Sequence, residues 1–352
     1  MHLRVLTNSE LKTLRRCPRE HFLAYEQGVR PVDEAEALRF GSLMHRGLEA
    51  WWLAVQSGAD RLDAAMAALV NAVDPFEEAR AREMLIGYNA RWYDEPLDVI
   101  AVEKEFRAPL VNPETGAPSR TFQLGGKLDV IVIDRRDGRV YKVEHKSSSE
   151  DIGVGSNYWK RLTLDPQIST YYAGARELGY DVAGCIYDVL AKPGQRPSQV
   201  PLRDENNEKI VLDANGSRVR TKNGKKYRET ADADLGYVLQ TRPETPDEYA
   251  ERIRAAIVEN PDKFYQRGTV VRLETEERDA AFDRWQISRM LREAQLSNRW
   301  PRNPDGCVRY GRTCSYFGVC TGTEDIDDPT LFRRTTNVHE ELTQDYAADA
   351  AE

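Results

Sequence analysis

The stretch that most constrains the fold runs from Gly125 to Lys146. Val130-Ile131-Val132-Ile133 is a continuous β-branched run, Asp137-Gly138 is a turn dipeptide, and Val140, Tyr141 and Val143 resume strand composition beyond it. The pattern predicts a β-hairpin. Side chains alternate along a strand, so Glu144 and Lys146 project from one face while Val143 and His145 project from the other. Asp129 stands near the hairpin's open end. A solvated strand with a cross-strand salt bridge accounts for this pattern. So does a site in which two carboxylates offer oxygen ligands to a hard divalent ion and a lysine stands beside an attacking water.

The flanking sequence predicts the layers that would cover such a hairpin. Thr7 to Glu10 offers caps for a first helix with Leu11 and Leu14 on its apolar side, and Pro18 ends it or opens the next. From about Glu34 to Val55 the spacing is helical, with Phe40, Leu43, Met44, Leu48, Trp51 and Trp52 on one stripe and His45 at its edge. Alanine-rich helical segments follow over 61–73 and 77–92. Strands are predicted over 99–106, 122–133, 139–146 and 182–190, with a turn at Asn112-Pro113-Glu114-Thr115-Gly116. Helices are predicted over about 166–178, 246–259 and 276–296, with a strand-like segment over 264–273. This order predicts an α/β fold, a mixed central β-sheet flanked by helices. The expected division is a helical N-terminal part (1–95), a core (96–191), a basic hairpin insertion (192–236), a helical C-terminal part (237–320) and an acidic, disordered tail (321–352).

The net charge of −8 argues against a nucleic-acid partner until its location is considered. Residues 321–352 hold nine acids against Arg333 and Arg334, a net of −7, which leaves −1 for the body. Such a body can carry a local basic groove. Arg218 to Arg228 holds six cations, no acid and an Asn-Gly hairpin signal. That segment is either a solvated hairpin tip or a finger that grips phosphates through residues such as Lys225 and Lys226. The sequence has no signal-peptide core, no apolar run long enough to span a bilayer and no P-loop. A cytoplasmic protein without a membrane partner or a built-in ATP motor is expected.

Three further groups bear on the hairpin. Gly41-x-x-x-His45 lies on the long helix. Gln167 and Tyr171 stand one helical turn apart on one face, just after the hairpin. Cys17 lies near the N-terminal end and Cys307, Cys314 and Cys320 form a cluster spaced Cys-x6-Cys-x5-Cys. In a reducing compartment clustered thiolates favour metal over disulfides, whereas Cys185 in an apolar strand reads as core. Glu103 and Glu105 share a strand face and read as solvated, or as support for a second ion or a lysine.

In order along the chain, Cys17-Pro18, Gly41-x-x-x-His45, Gly126-x-x-Asp129, Glu144-x-Lys146, Gln167-x-x-x-Tyr171 and the cysteine trio resemble the RecB-like branch of the PD-(D/E)xK nuclease superfamily in its iron–sulfur form. CRISPR-associated and AddB-type nucleases are its familiar members. The resemblance implies a restriction-endonuclease-like core and a DNA exonuclease using Mg²⁺ or Mn²⁺, which leaves a 5′-phosphate and a 3′-hydroxyl. It implies that Asp129, Glu144, His45 and the backbone carbonyl of His145 hold the divalent ion, and that Lys146 serves the attacking water. Gln167 and Tyr171 would orient the substrate strand, and Trp159, Lys160 and Arg161 would stack on a base and hold phosphates in single-stranded DNA, the alternative being that Trp159 simply packs. Cys17, Cys307, Cys314 and Cys320 would hold a [4Fe–4S] cluster, with zinc as the alternative. Recombination, repair or phage DNA processing, with a helicase or recombination partner, is the implied setting. A structure-selective endonuclease of the same fold, an inactive DNA-binding scaffold and a structural metalloprotein are the competing readings.

Overall fold

The predicted hairpin forms the centre of a six-stranded mixed sheet. A computed structural model describes residues 3–342, apart from 71, 222 and 310. The elements that position the site are β1 (Arg4–Thr7), α1 (Asn8–Arg16), α2 (Glu36–Ser57), α3 (Pro75–Trp92), β2 (Leu97–Val111), β3 (Pro118–Asp134), β4 (Arg139–Ser148), α4 (Pro166–Glu177), β5 (Val182–Ala191), α5 (Pro246–Glu259), β6 (Tyr265–Val270) and α6 (Glu274–Ser297).

Strand β3 is the spine. One edge pairs with antiparallel β2 along nearly its whole length. The other edge is shared: β1 runs parallel beside Phe122–Gly125, and β4 runs antiparallel beside Val130–Asp134. Between those two partners, residues 126–129 face a fork in the sheet. Beyond β4 the sheet continues through parallel β5 and antiparallel β6. The β-branched run of β3 is buried on both faces because helices cover both. The ring of His145 meets Trp52 and Tyr88, so α2 and α3 lie on its face; the opposite-facing Glu144 meets α4. Asp165 caps α4 by accepting from the Gln167 backbone N–H at 2.9 Å, and Pro166 opens the helix at its first turn.

Strand β1 is absent from the sequence-based expectation. It has four residues, too few for a periodic signal, and parallel pairing with Phe122–Gly125 stabilises it. The predicted 61–73 helix is shorter, spanning Arg61–Ala67, and the strand-like 264–273 segment ends at Val270. The disordered tail needs a larger correction. Phe332–Arg334 pairs antiparallel with Val29–Pro31, and Phe332, His339 and Leu342 are buried. Its acids are partly neutralised at home, Arg334 pairing with Asp327 at 2.6 Å and Arg333 with Glu340 at 3.1 Å. Net charge concealed those partners and the apolar anchors. The rest of the predicted tail, 343–352, lies outside the described residues. Among the described residues no helix is long and apolar enough to cross a membrane.

Candidate active site

The fork gathers the predicted charges. Asp129, at its β4 side, is buried, and its Oδ2 accepts the backbone N–H of His145 at 2.8 Å. Burial alone would raise its pKa, but His45, Lys142, His145 and Lys146 outweigh that and hold the carboxyl near 2. His45 approaches from α2. Burial lowers its pKa, and Asp129 opposes that shift.

Glu144 is 2% exposed and meets Lys142, Lys146 and Gln167 on the α4 face. Its Oε2 is ion-paired with Lys142, and its Oε1 accepts from Lys146 Nζ at 2.5 Å and from Gln167 Nε2 at 2.7 Å. Gln167 also accepts from Lys146 at 3.0 Å and donates to the Tyr171 hydroxyl at 2.9 Å. The Lys142 ammonium stands 4.2 Å from the centre of the Tyr171 ring. Burial works against the Lys146 ammonium, yet Glu144 and Asp129 raise its pKa, so it carries its proton in this arrangement. Gly126 makes room for α4: a Cβ there would stand 2.9 Å from the Phe106 ring and 3.0 Å from Tyr171.

Behind this cluster, the opposite-facing ring of His145 reaches a buried polar group. Its Nδ1 lies 3.4 Å from Oδ2 of Asp188, which also accepts from Tyr88 at 2.5 Å and Arg267 at 2.9 Å. Those contacts hold Asp188 well below the usual carboxylate range against the effect of burial. Residues Lys142, Asp188, Tyr88 and Arg267 are missing from the sequence-based site. Lys142 had a signal, since Lys142, Glu144 and Lys146 share strand parity. Asp188, Tyr88 and Arg267 meet only through tertiary packing.

Other predicted residues are placed differently. Trp159 is packed rather than free to stack on a base: its indole donates to the Ile152 carbonyl at 2.7 Å, and its ring lies where a Cβ on Gly268 would fall. Arg161 pairs with Glu150 at 2.8 Å, Lys160 is exposed, and Lys225 and Lys226 are exposed at the tip of the insertion. Glu103 is ion-paired with Lys127, so of the functions open to it the lysine contact is the one formed. Burial and then Asp129 lift its pKa to about 7, and its backbone adopts φ +51° at a point where the β2 register continues on either side.

The ends of the chain are tied together around the cysteines. Asn303 donates to the Arg16 carbonyl at 2.7 Å, the Arg19 N–H to Pro301 at 3.1 Å, and the Tyr316 hydroxyl to Val29 at 2.8 Å. Cys17 is buried and the trio half-buried. Burial pushes the Cys314 thiol up to about 11, reinforced by Glu20, Cys17 and Cys320; Cys320 in turn is raised by burial, Cys17 and Cys307. Cys185 is core, as expected, and burial takes its thiol to about 12. Among the described residues no group of three or more His, Cys, Asp or Glu side chains is arranged as a ready metal cage. The carboxylates and imidazole around Asp129 suit a hard divalent ion in kind. In this arrangement, however, both Glu144 oxygens are occupied by lysines and Gln167.

The pattern of the PD-(D/E)XK nuclease superfamily matches residues 5–321. The chain belongs to the PD-(D/E)XK nuclease superfamily. Members of this superfamily are generally nucleases that use divalent metals such as Mg²⁺, and the mixed sheet flanked by helices is consistent with its core. Among curated proteins nothing matches. The solved structure titled "Crystal structure of SSO0001" is 13% identical, with a TM-score of 0.23, over 54% of this PD-(D/E)XK chain. The match spans 64% of that protein's chain, less than two thirds.

Proposed function

We propose that the chain is a divalent-metal-dependent deoxyribonuclease of the RecB-like type, acting as an exonuclease in DNA recombination, repair or phage DNA processing. The observation that carries this reading is buried Glu144 shared among Lys142, Lys146 and Gln167, on the strand whose His145 N–H fixes Asp129. Asp129, Glu144, His45 and the His145 carbonyl would hold the ion. When bound, a divalent ion lowers the pKa of water and offsets charge on the phosphate.

The protein's own groups supply the rest. Lys146 keeps an ammonium where negative charge builds on the phosphoryl oxygens. Gln167 fixes the Lys146 and Glu144 side chains relative to each other, and Tyr171 holds Gln167. The four cysteines would hold the [4Fe–4S] cluster, or zinc, as a clasp between the chain ends; the hydrogen bonds that tie Arg16 and Arg19 to Asn303 and Pro301, and Cys314 to Cys307, support this reading. Iron content and visible absorption of anaerobically purified protein test it, and colourless, iron-free protein would remove it.

The nuclease reading is tested by cleavage of end-labelled linear and circular DNA, single- and double-stranded, with Mg²⁺, Mn²⁺ or EDTA. Metal-dependent cleavage by the wild type and none by Lys146→Ala, with DNA binding retained, is expected. Cleavage of circles would reassign the enzyme as an endonuclease. Full activity in Lys146→Ala would sink the site.

A further inference from the structure

The insertion after β5 begins beside the candidate site. The N–H of Lys192 donates to the Ser148 carbonyl at 2.7 Å, so the chain leaves the sheet at the end of β4, just past Lys146. It returns at α5. Gln199–Pro201 pairs with Thr241–Pro243 and Val211–Leu212 with Val238–Leu239, and isolated bridges carry the pairing outward to Arg220 and Tyr227. The root is fastened. Buried Glu244 accepts from the Ser198 N–H at 2.9 Å and from Arg252 of α5 at 2.5 and 2.7 Å, while the Tyr249 hydroxyl donates to the Gln195 carbonyl at 2.9 Å. The insertion is thus an arm built on a fixed base.

The cations at its tip divide into two sets. Arg218 pairs with Asp204 at 2.5 Å and Arg228 with Asp232 at 2.7 Å, so both serve the arm itself. Arg220 is exposed and held in place, donating to the Gly224 carbonyl at 3.1 Å and the Tyr227 hydroxyl at 3.2 Å. Lys225 and Lys226 are exposed, and among the described residues neither has an ion pair. Gly224 takes φ +69°, the left-handed conformation that turns the tip and sets these lysines beyond the bridge. Tyr227, the aromatic of the tip, has Arg218 3.8 Å and Arg220 4.5 Å from its ring centre. Its ring is occupied by guanidinium groups rather than open to a base.

We infer that this arm grips the phosphate backbone of duplex DNA outside the cleavage site, through Arg220, Lys225 and Lys226 and without reading sequence. The inference rests on the nuclease reading for its substrate. Duplex is favoured over single strands because single-strand binders add base stacking on open aromatic rings, and the tip offers none. Three phosphate contacts make a definite contribution to salt dependence, since each lowers the slope of log K against log salt by about 0.9 on duplex DNA and about 0.7 on a single strand.

The test compares the full chain with the Arg220→Ala/Lys225→Ala/Lys226→Ala variant. Affinity for a 40-base-pair duplex is measured in EDTA across a salt series, and cleavage of the same duplex is measured at saturation with Mg²⁺ or Mn²⁺. The variant should bind more weakly at low salt, with a slope shallower by about 2 to 3, and cleave at an unchanged saturated rate. Lys225→Glu/Lys226→Glu, which alters only exposed side chains, should weaken binding further. An unchanged duplex slope in both variants, or a slope change confined to single strands, overturns the inference. Absence of cleavage by the wild type would defeat the nuclease reading, while the salt slope would still decide the arm.

Discussion

The side-chain amide of Gln167 donates to Oε1 of Glu144 over 2.7 Å while its oxygen accepts from Lys146 at 3.0 Å. One amide thus holds an acid and a base that lie two residues apart on β4, and Tyr171 holds the amide from the next turn of α4. Gln167→Ala should lower kcat by about 10- to 100-fold, the usual cost of losing an outer hydrogen-bond partner, with DNA affinity little changed. Rates at saturating substrate, set beside binding in EDTA, would check this.

Lys142 is 1% exposed and its ion-pair partner is Glu144. Lys142→Met should cost about 3–5 kcal/mol of stability, because it removes one member of a buried charge cluster. The double variant Lys142→Met/Glu144→Gln should recover part of that loss while remaining inactive. Urea denaturation of the two variants and the wild type measures the coupling.

The Tyr88 hydroxyl donates to Asp188 and accepts from Trp52 at 3.1 Å and from Arg267 at 3.0 Å. Tyr88→Phe should destabilise the fold by about 1.5–3 kcal/mol, the range for hydrogen bonds to charged groups. Asp188→Asn should cost more, since it leaves the buried Arg267 guanidinium without its closest counter-charge. Because Asp188 also faces His145, the saturated cleavage rate should fall in Asp188→Asn even where the protein remains folded.

Gly126→Ala should cost about 1–3 kcal/mol through overpacking against Phe106 and Tyr171. Thermal denaturation would show the loss. The cleavage rate should fall with it, because the displaced ring is the one that holds Gln167.

Glu10 and His339 link the C-terminal segment to α1. Glu10 receives Arg4 at 2.6 Å, lies 2.9 Å from His21 and has His339 3.3 Å from its other oxygen. Burial opposes its charge, but contacts from His21, His339 and Arg4 hold its pKa near 2, below the usual 4.5. Its contribution is therefore present above pH 4.5 and lost as pH falls toward 2. Burial likewise opposes the His339 imidazolium, yet Glu10 and Glu341 raise its pKa from 6.5 to about 9. That contribution is complete below pH 6.5 and lost as pH rises through 9. Hydrogen exchange of 338–342 should be slowest between pH 4.5 and 6.5 after correction for intrinsic rates. His339→Ala should flatten the alkaline limb, and an unchanged limb would count against the linkage.

The hairpin, its turn and the opposite facing of Glu144 and His145 were legible because a strand's side-chain period is a local property. So were the long α2 stripe and the Gln167/Tyr171 pair, which follow from helical spacing. The four-residue β1 and the folded stretch through Leu342 were not legible, because each is stabilised by a distant partner: Phe122–Gly125 for the first, Val29–Pro31 and Glu10 for the second. The packing of Trp159, on a short helix (Asn157–Leu162), depends on the bare backbone of Gly268 on β6, more than a hundred residues away.

By itself the sequence determined which chemical groups are present and on which side of their own element each lies. Only the tertiary structure decided which of them meet. The fork between β1 and β4 sets Asp129 against the His145 N–H, α4 delivers Gln167 to Glu144, and β5 and β6 bring Asp188 and Arg267 behind the site. The reason is physical: periodicity within an element is fixed by its backbone, whereas contacts between elements depend on register and packing over tens to hundreds of residues.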